Sequence, residues 1–516
     1  LLRSKKTTAQ TTPPPVMNAQ QSQDLYSFLG FTSNPFESNT AEREPEIASY
    51  AVRPPYLDRT RQASLVGHGI FVLDGARGSG KSATRLTVAK SIWQEANPRP
   101  LVVALTNFNV FRPYVKAGLT LDLFATQIAF LAFETILSWL SSLPEADADA
   151  RIAAIDGPGK KLIDRFASNF FLNRADNARS TTAQETYDLL NVSLPAKAAL
   201  WAEKRWDQVS TVIATLAAKL GKKYADFDIG DPNSYASLLK KQQSDGFADP
   251  NYVFARTVEV ARLFGFSGIL VQIDKIDETD WTTTSVPAAA DLIFPILANI
   301  GLHEIDGLTW SLFVWDKVTK HLIATYRGQL RFDKIQRGSI SWESDYLESL
   351  IQKRLEHFSG GVISKLDQIS VEGTDTSAVI SELIRLTGNS PRELITALDA
   401  VVSEHAQRNQ ATHKRLDADA FQRGMDAYAV RSLTDSGLID EARQIAKMGV
   451  ERFITKDVQS LLRQSAQSAR ARIEKWAYEL QLVEFAGTRQ TTTTGRPVDE
   501  FAICDARAQR VLQRNL

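Results

Sequence analysis

The chain has 516 residues with 60 Lys+Arg against 60 Asp+Glu, so its formal charge is zero, and 43% of its positions are hydrophobic. That length suits about three domains with cores of their own, and balanced charge argues against a chain that coats nucleic acid along its whole surface. The single cysteine, Cys504, excludes an intrachain disulfide and an all-cysteine metal site, and favours a reducing, cytoplasmic setting.

Residues 1–24, rich in Thr, Gln, Lys and Pro, are expected to be a disordered leader, with Met17 a candidate start. Gly69 to Asp74 is an apolar run of strand length. It is followed by Gly75-Ala-Arg-Gly78-Ser79-Gly80-Lys81-Ser82 and a helical pattern through Trp93. Further strands are expected at Leu101–Leu105, at Gly268–Ile273 ending in Asp274, at Trp310–Trp315 ending in Asp316, and at Gln329–Ile335. Strands alternating with helical stretches indicate an α/β parallel sheet with helices on both faces.

Between the second and third strands, about 112–264 reads as a large α-helical insertion. Its apolar residues fall at helical spacing, first in Leu121, Leu123, Phe124, Ile128, Leu131, Ile136 and Leu137, later in Val209, Val212, Ile213, Leu216 and Leu220, with a loop at Gly230–Ser234. Leu121 to Leu140 is the most apolar stretch, but Asp122, Thr126, Gln127 and Glu134 interrupt it. It is expected to be a buried helix, and no membrane partner is expected. Residues 25–340 would thus form one domain, 341–413 a small helical domain, and 414–516 a linker helix and a winged helix. In that last segment Thr455 opens one helix, a second places Ala469, Ile473, Trp476 and Leu480 on one face, and two strands flank the turn-rich Gly487–Pro497.

Gly75-x-x-x-x-Gly80-Lys81-Ser82 is the P-loop pattern. Backbone N–H groups and a helix N-terminus face phosphates, which calls for residues without bulky side chains at the close approaches, here Gly75, Gly78, Ser79 and Gly80. Lys81 is expected to reach the β- and γ-phosphates of ATP, and the Ser82 hydroxyl to ligate Mg²⁺. Asp274 at a strand tip is the matching Mg²⁺ ligand. The next residue, where a water-activating Glu is usual, is Lys275; the available acids are Asp277 and Glu278, so hydrolysis is expected to be slow.

The winged-helix segment Arg452–Leu516 holds 11 basic and 7 acidic residues, an excess of four. Arg470, Arg472 and Lys475 lie off the apolar face of the second helix, and Arg489 and Arg496 on the wing, a set suited to phosphate contacts with duplex DNA. The same fold also serves as a protein-binding module.

The order of P-loop, Asp-tipped strand, helical lid and winged helix resembles the AAA+ ATPases of the origin-recognition type, and similar bacterial ATPases of uncharacterised or anti-phage role. The resemblance implies a second sensor in Gly388-Asn-Ser-Pro-Arg392, with Arg392 reading the γ-phosphate. It implies an arginine finger at Arg327 or Arg331, and an adenine-side residue at Tyr56. The first-sensor position should carry a small polar residue, where this chain has Trp315 and Asp316. The implied function is an ATP-hydrolysing switch that couples nucleotide state to duplex DNA engagement or assembly, as a homo-oligomer or with a separate effector or sensor subunit. The alternative is a STAND-type signalling or anti-phage defence ATPase whose winged helix binds protein.

Overall fold

A computed structural model describes residues 25–38, 40–44, 46–171, 246–408, 414–490 and 496–516. The leader 1–24, the second half of the expected insertion with Val209 to Leu220 and Gly230–Ser234, and the wing tip 491–495 lie outside the described residues. The chain divides into two compact units, Thr40–Ser341 and a second made of Leu1–Asn39 with Trp342–Leu516.

In the first unit β1 (His68–Gly75), β2 (Leu101–Leu105), β3 (Ile269–Ile273), β4 (Leu308–Trp315) and β5 (Ile335–Ser339) form one sheet in the order β2-β3-β4-β1-β5. All four pairings are parallel, and Gly75 lies level with Trp315. The inner strands are near-continuous apolar runs because helices cover both faces. Alternation along each strand divides the core: Ile70, Val72, Val271 and Leu312 point into a large cluster with the helices Leu121–Ser142, Pro250–Leu263 and Val286–Ala298. Phe71, Leu73 and Phe313 point the other way, toward Ala63 on the helix Pro55–Ser64, and Leu270 toward Leu57 and the helix Lys81–Glu95.

A parallel strand order with β4 between β1 and β3, and the glycine-rich loop directly after β1, is the α/β P-loop NTPase fold. The described ends of the insertion, Leu121–Ser142 and Pro250–Leu263, share the main core with β2, β3 and β4 and cover the sheet. Leu121–Leu140 is the one helix among the described residues long and apolar enough to cross a membrane, and its residues 123–140 are buried. The fifth strand is Ile335–Ser339, not Gln329–Ile335. Turns occupy the preceding residues, where Leu330 N donates to Tyr326 O (3.0 Å) and Lys334 N to Arg331 O (2.9 Å). As an edge strand β5 needs backbone partners on one side only, so its exposed Gln336, Arg337 and Ser339 carry no apolar signal.

In the second unit the helices Ser344–Phe358, Thr376–Leu386, Pro391–Arg408 and Ala418–Asp435 share a core. Leu25, Tyr26, Leu29, Phe31 and Phe36 are part of it. Arg354 Nε donates to Pro35 O (2.7 Å) and Asn34 Nδ2 to Asp399 Oδ1 (2.9 Å). The boundary expected at residue 25 is therefore displaced: 25–38 pack with the helical lid, because their apolar side chains find cover there. The lid also extends past 413 to include Ala418–Asp435.

β6 (Arg452–Ile454), the helices Thr455–Leu462 and Ala466–Glu474, β7 (Val483–Arg489) and β8 (Val498–Ile503) follow in winged-helix order, with an antiparallel sheet β6-β8-β7. The second helix ends as an α-helix at Glu474, and Lys475–Glu479 is a π turn that brings Trp476 fully into the core. The helix Ala506–Arg514 is riveted to the lid helices by Arg510, 2% exposed, whose guanidinium donates to Asp426 Oδ1 (2.7 Å), Glu382, and Gln422 O and Oε1 (2.8 Å each).

Candidate nucleotide site

Gly78 and Gly80 have φ of 77° and 90°, in the left-handed region that glycine enters without penalty. These two turns bend the loop so that the helix Lys81–Glu95 starts directly at its end. Gly75 needs its missing side chain for space: a Cβ there would lie 2.5 Å from Ser79 Oγ and 3.0 Å from Ile340 Cβ. Gly80 caps the helix with no side-chain hydrogen bond, and the first N–H groups of any α-helix have no intrahelical acceptor, so the helix start is open to an anion. Lys81 Nζ lies over the loop, donating to Gly75 O (3.1 Å) and Ala76 O (2.9 Å). Ser82 follows in the first helical turn.

Asp274 directly follows β3 and is 1% exposed. Its Oδ1 accepts from Lys275 N (2.9 Å) and its Oδ2 from Arg85 Nε (3.1 Å), one turn beyond Ser82 on the phosphate-loop helix. Lys275 has φ 64°, a left-handed turn that a lysine adopts only under local constraint. Ser82 and Asp274 offer one hydroxyl and one carboxylate, the hard oxygen set of Mg²⁺, whose other ligands are phosphate oxygens and water. Each carboxylate oxygen has two lone pairs against the single hydrogen bond described for it, so the donor set fits the ion.

The loop after β3 separates the two candidate acids. Asp277 Oδ2 accepts from Arg77 Nε (2.9 Å), so its carboxylate is committed to the phosphate loop. Glu278 is exposed, on a turn closed by its own N–H to Lys275 O (3.1 Å). Arg77 also donates to Asp277 O (3.0 Å) and Thr283 O (2.9 Å), and its guanidinium lies 4.2 Å from the centre of the Trp315 ring. Trp315 thus fills the expected first-sensor place with a cation–π platform.

Tyr56, on the helix Pro55–Ser64, packs beside both small clusters on the phosphate-loop side of the sheet, and burial pushes its hydroxyl pKa up while a hydrogen bond with Thr84 opposes this. Arg327 is exposed in the turn after the helix Asp316–Thr325. Arg331 is held by its neighbour, with Nε and Nη2 at 2.9 and 2.7 Å from the Asp333 carboxylate. Arg392 is exposed near the start of Pro391–Arg408 in the other unit.

Three of the five basic residues expected to contact DNA have carboxylate partners within the domain. Arg472 (3.1 Å) and Lys475 (2.7 Å) donate to Glu441, which also accepts from Trp476 Nε1 (2.8 Å). Burial alone would push the Glu441 carboxyl up; the hydrogen bonds from Lys475 and Trp476 and the charges of Arg472 and Lys475 hold it below the ordinary glutamate value. Arg489 pairs with Glu500 across the wing. Arg470 and Arg496 are exposed.

Sequence reasoning passed over Arg77, Arg85 and Glu441. Arg77 stands at a variable position of the loop pattern, where the pattern is silent. Arg85 had a signal: it shares the buried helix stripe with Val88, Ala89 and Ile92, and a cation on an apolar stripe calls for a buried carboxylate.

No family model matches the chain, and no curated protein matches it. Among the solved structures similar to it are a Walker-type ATPase of Pyrococcus abyssi, with 11% identity, TM-score 0.38, and 90% of this chain and 96% of that one covered, and Cdc6p from Pyrobaculum aerophilum, with 10% identity, TM-score 0.31 and the same coverages. Scores of this size leave the fold assignment to the strand order and the phosphate loop of the chain itself.

Proposed function

We propose that the chain binds ATP with Mg²⁺ at the Gly75–Ser82 loop, hydrolyses it slowly, and serves as a nucleotide-dependent switch. The observation that carries the reading is the conjunction of two left-handed glycines, an uncapped helix start, Lys81 folded on the loop and Asp274 at the β3 tip. In this reading the loop and helix N–H groups bind the phosphates, and Lys81 exchanges the Gly75 and Ala76 carbonyls for β- and γ-phosphate oxygens. Ser82 and Asp274 hold Mg²⁺, which when bound neutralises phosphate charge. Glu278 orients the attacking water, because the Asp277 carboxylate is engaged by Arg77. Tyr56 stands for the adenine side, Arg392 for the γ-phosphate reader and Arg327 for a finger toward a neighbouring subunit. Calorimetry tests the core of this: Lys81→Ala should abolish ATP binding or weaken it severely with an unchanged circular dichroism spectrum. Unchanged affinity would remove the assignment.

For the winged helix, pairing of Arg472, Lys475 and Arg489 favours the second reading, a protein-interaction module of a signalling or defence ATPase, over duplex DNA engagement. DNA engagement would rest on Arg470 and Arg496.

A further inference from the structure

We infer that Arg77 is a positioning residue for hydrolysis, holding the loop that carries Glu278 against the phosphate loop, with Trp315 as its platform. This rests on the ATP reading above.

The guanidinium joins the tips of three strands. It belongs to the loop after β1, grips the loop after β3 on both sides of Glu278, through Asp277 and through Thr283 O, and stacks on the last residue of β4. Asp277 is the buried end of this clamp, its side chain 5% exposed against 43% for Arg77. Within the clamp the turn is stiff. Thr279 and Thr282 hydroxyls bond each other (2.6 Å), each accepts from the other's backbone N–H (3.2 and 3.1 Å), and the Thr283 hydroxyl donates to Thr279 O. Only an arginine offers the fork needed to reach a carboxylate and two carbonyls at once while keeping a flat face for an indole. The orientation of Glu278 is therefore set by a residue of the phosphate loop itself, so a nucleotide that shifts the loop shifts the acid with it. Trp315 stands where the resemblance expects a small polar residue; in this chain the β4 tip acts through Arg77.

The test measures ATP affinity by calorimetry and single-turnover hydrolysis for the wild type, Arg77→Ala, Arg77→Lys and Trp315→Leu. Misplacement of a catalytic group by an ångström costs about 100-fold in rate, so Arg77→Ala should lower turnover by about that factor while ATP affinity stays within about threefold. Arg77→Lys keeps a charge for Asp277 but loses the fork, and should fall between. Trp315→Leu, which keeps Arg77 and loses the platform, should lower turnover about tenfold. Parallel loss of affinity and turnover in Arg77→Ala would make Arg77 a structural part of the loop and overturn the inference. So would wild-type turnover in either Arg77→Ala or Trp315→Leu, and the second variant decides if the first does not fold. Absence of ATP binding by the wild type defeats the nucleotide reading itself, whereas binding without hydrolysis by the wild type overturns this inference and the hydrolytic step and leaves the ATP-binding switch standing.

Discussion

Replacing Arg85 by methionine leaves Asp274 without its countercharge. Both side chains are almost dry, 9% and 2% exposed, and removal of one partner from a buried pair costs about 3–5 kcal/mol because the other charge stays behind. The lower end, about 3 kcal/mol, is expected here, since Asp274 Oδ1 keeps the hydrogen bond from Lys275 N. Converting the carboxylate as well, in Arg85→Met with Asp274→Asn, should recover most of the loss, because no buried charge then remains. Urea unfolding of the wild type, both single variants and the double variant, followed by tryptophan fluorescence, closes the cycle. Mg²⁺ adds a second readout: Arg85→Met should gain more stability from the ion than the wild type does, as the vacated carboxylate oxygen becomes a ligand. A cost below about 1 kcal/mol for Arg85→Met, or a double variant no more stable than the single one, would refute the reasoning.

Glu278→Gln should spare ATP affinity and lower turnover; unchanged turnover in a hydrolysis assay would move the water-orienting role elsewhere. Arg392→Ala should narrow the affinity difference between ATP and ADP in paired titrations, since ADP lacks the group it is proposed to read, and equal losses for both nucleotides would make Arg392 structural. For the winged helix, Arg470→Ala with Arg496→Ala should reduce the slope of log affinity against log salt by about two if duplex DNA is bound, one for each lost phosphate contact. Wild-type protein with no salt-dependent duplex binding in any nucleotide state would leave the protein-interaction reading.

Much of the candidate site is legible in the sequence because its signals are local. A glycine-rich loop between an apolar run and a helical pattern, and an aspartate closing another apolar run, are read within eight residues. What escaped was set by contacts far apart in the chain. Arg85 meets Asp274 across 189 positions, and Arg77 meets Asp277 across 200. Leu25 to Phe36 look like the entrance to the nucleotide domain until Arg354 and Asp399 are seen to hold them. β5 was misplaced because an edge strand on a parallel sheet is defined by its backbone, and Leu330 and Phe332 suggested a strand where turns are formed. The basic surface of the winged helix was overcounted for a related reason: a tally of cations is blind to Glu441 and Glu500, which face them in three dimensions.

The rivet at Arg510 has a mechanical corollary. A guanidinium that donates to two carboxylates and an amide side chain on two lid helices allows little play between those helices and Ala506–Arg514, which packs into the winged-helix core. Torque applied to the lid would be transmitted to the wing rather than lost in a slack joint, as in a crank whose handle and arm are forged in one piece. Flexing within this unit is then confined to thinner parts, such as the wing strands, and the amplitude delivered at Arg470 is fixed by how far the lid turns.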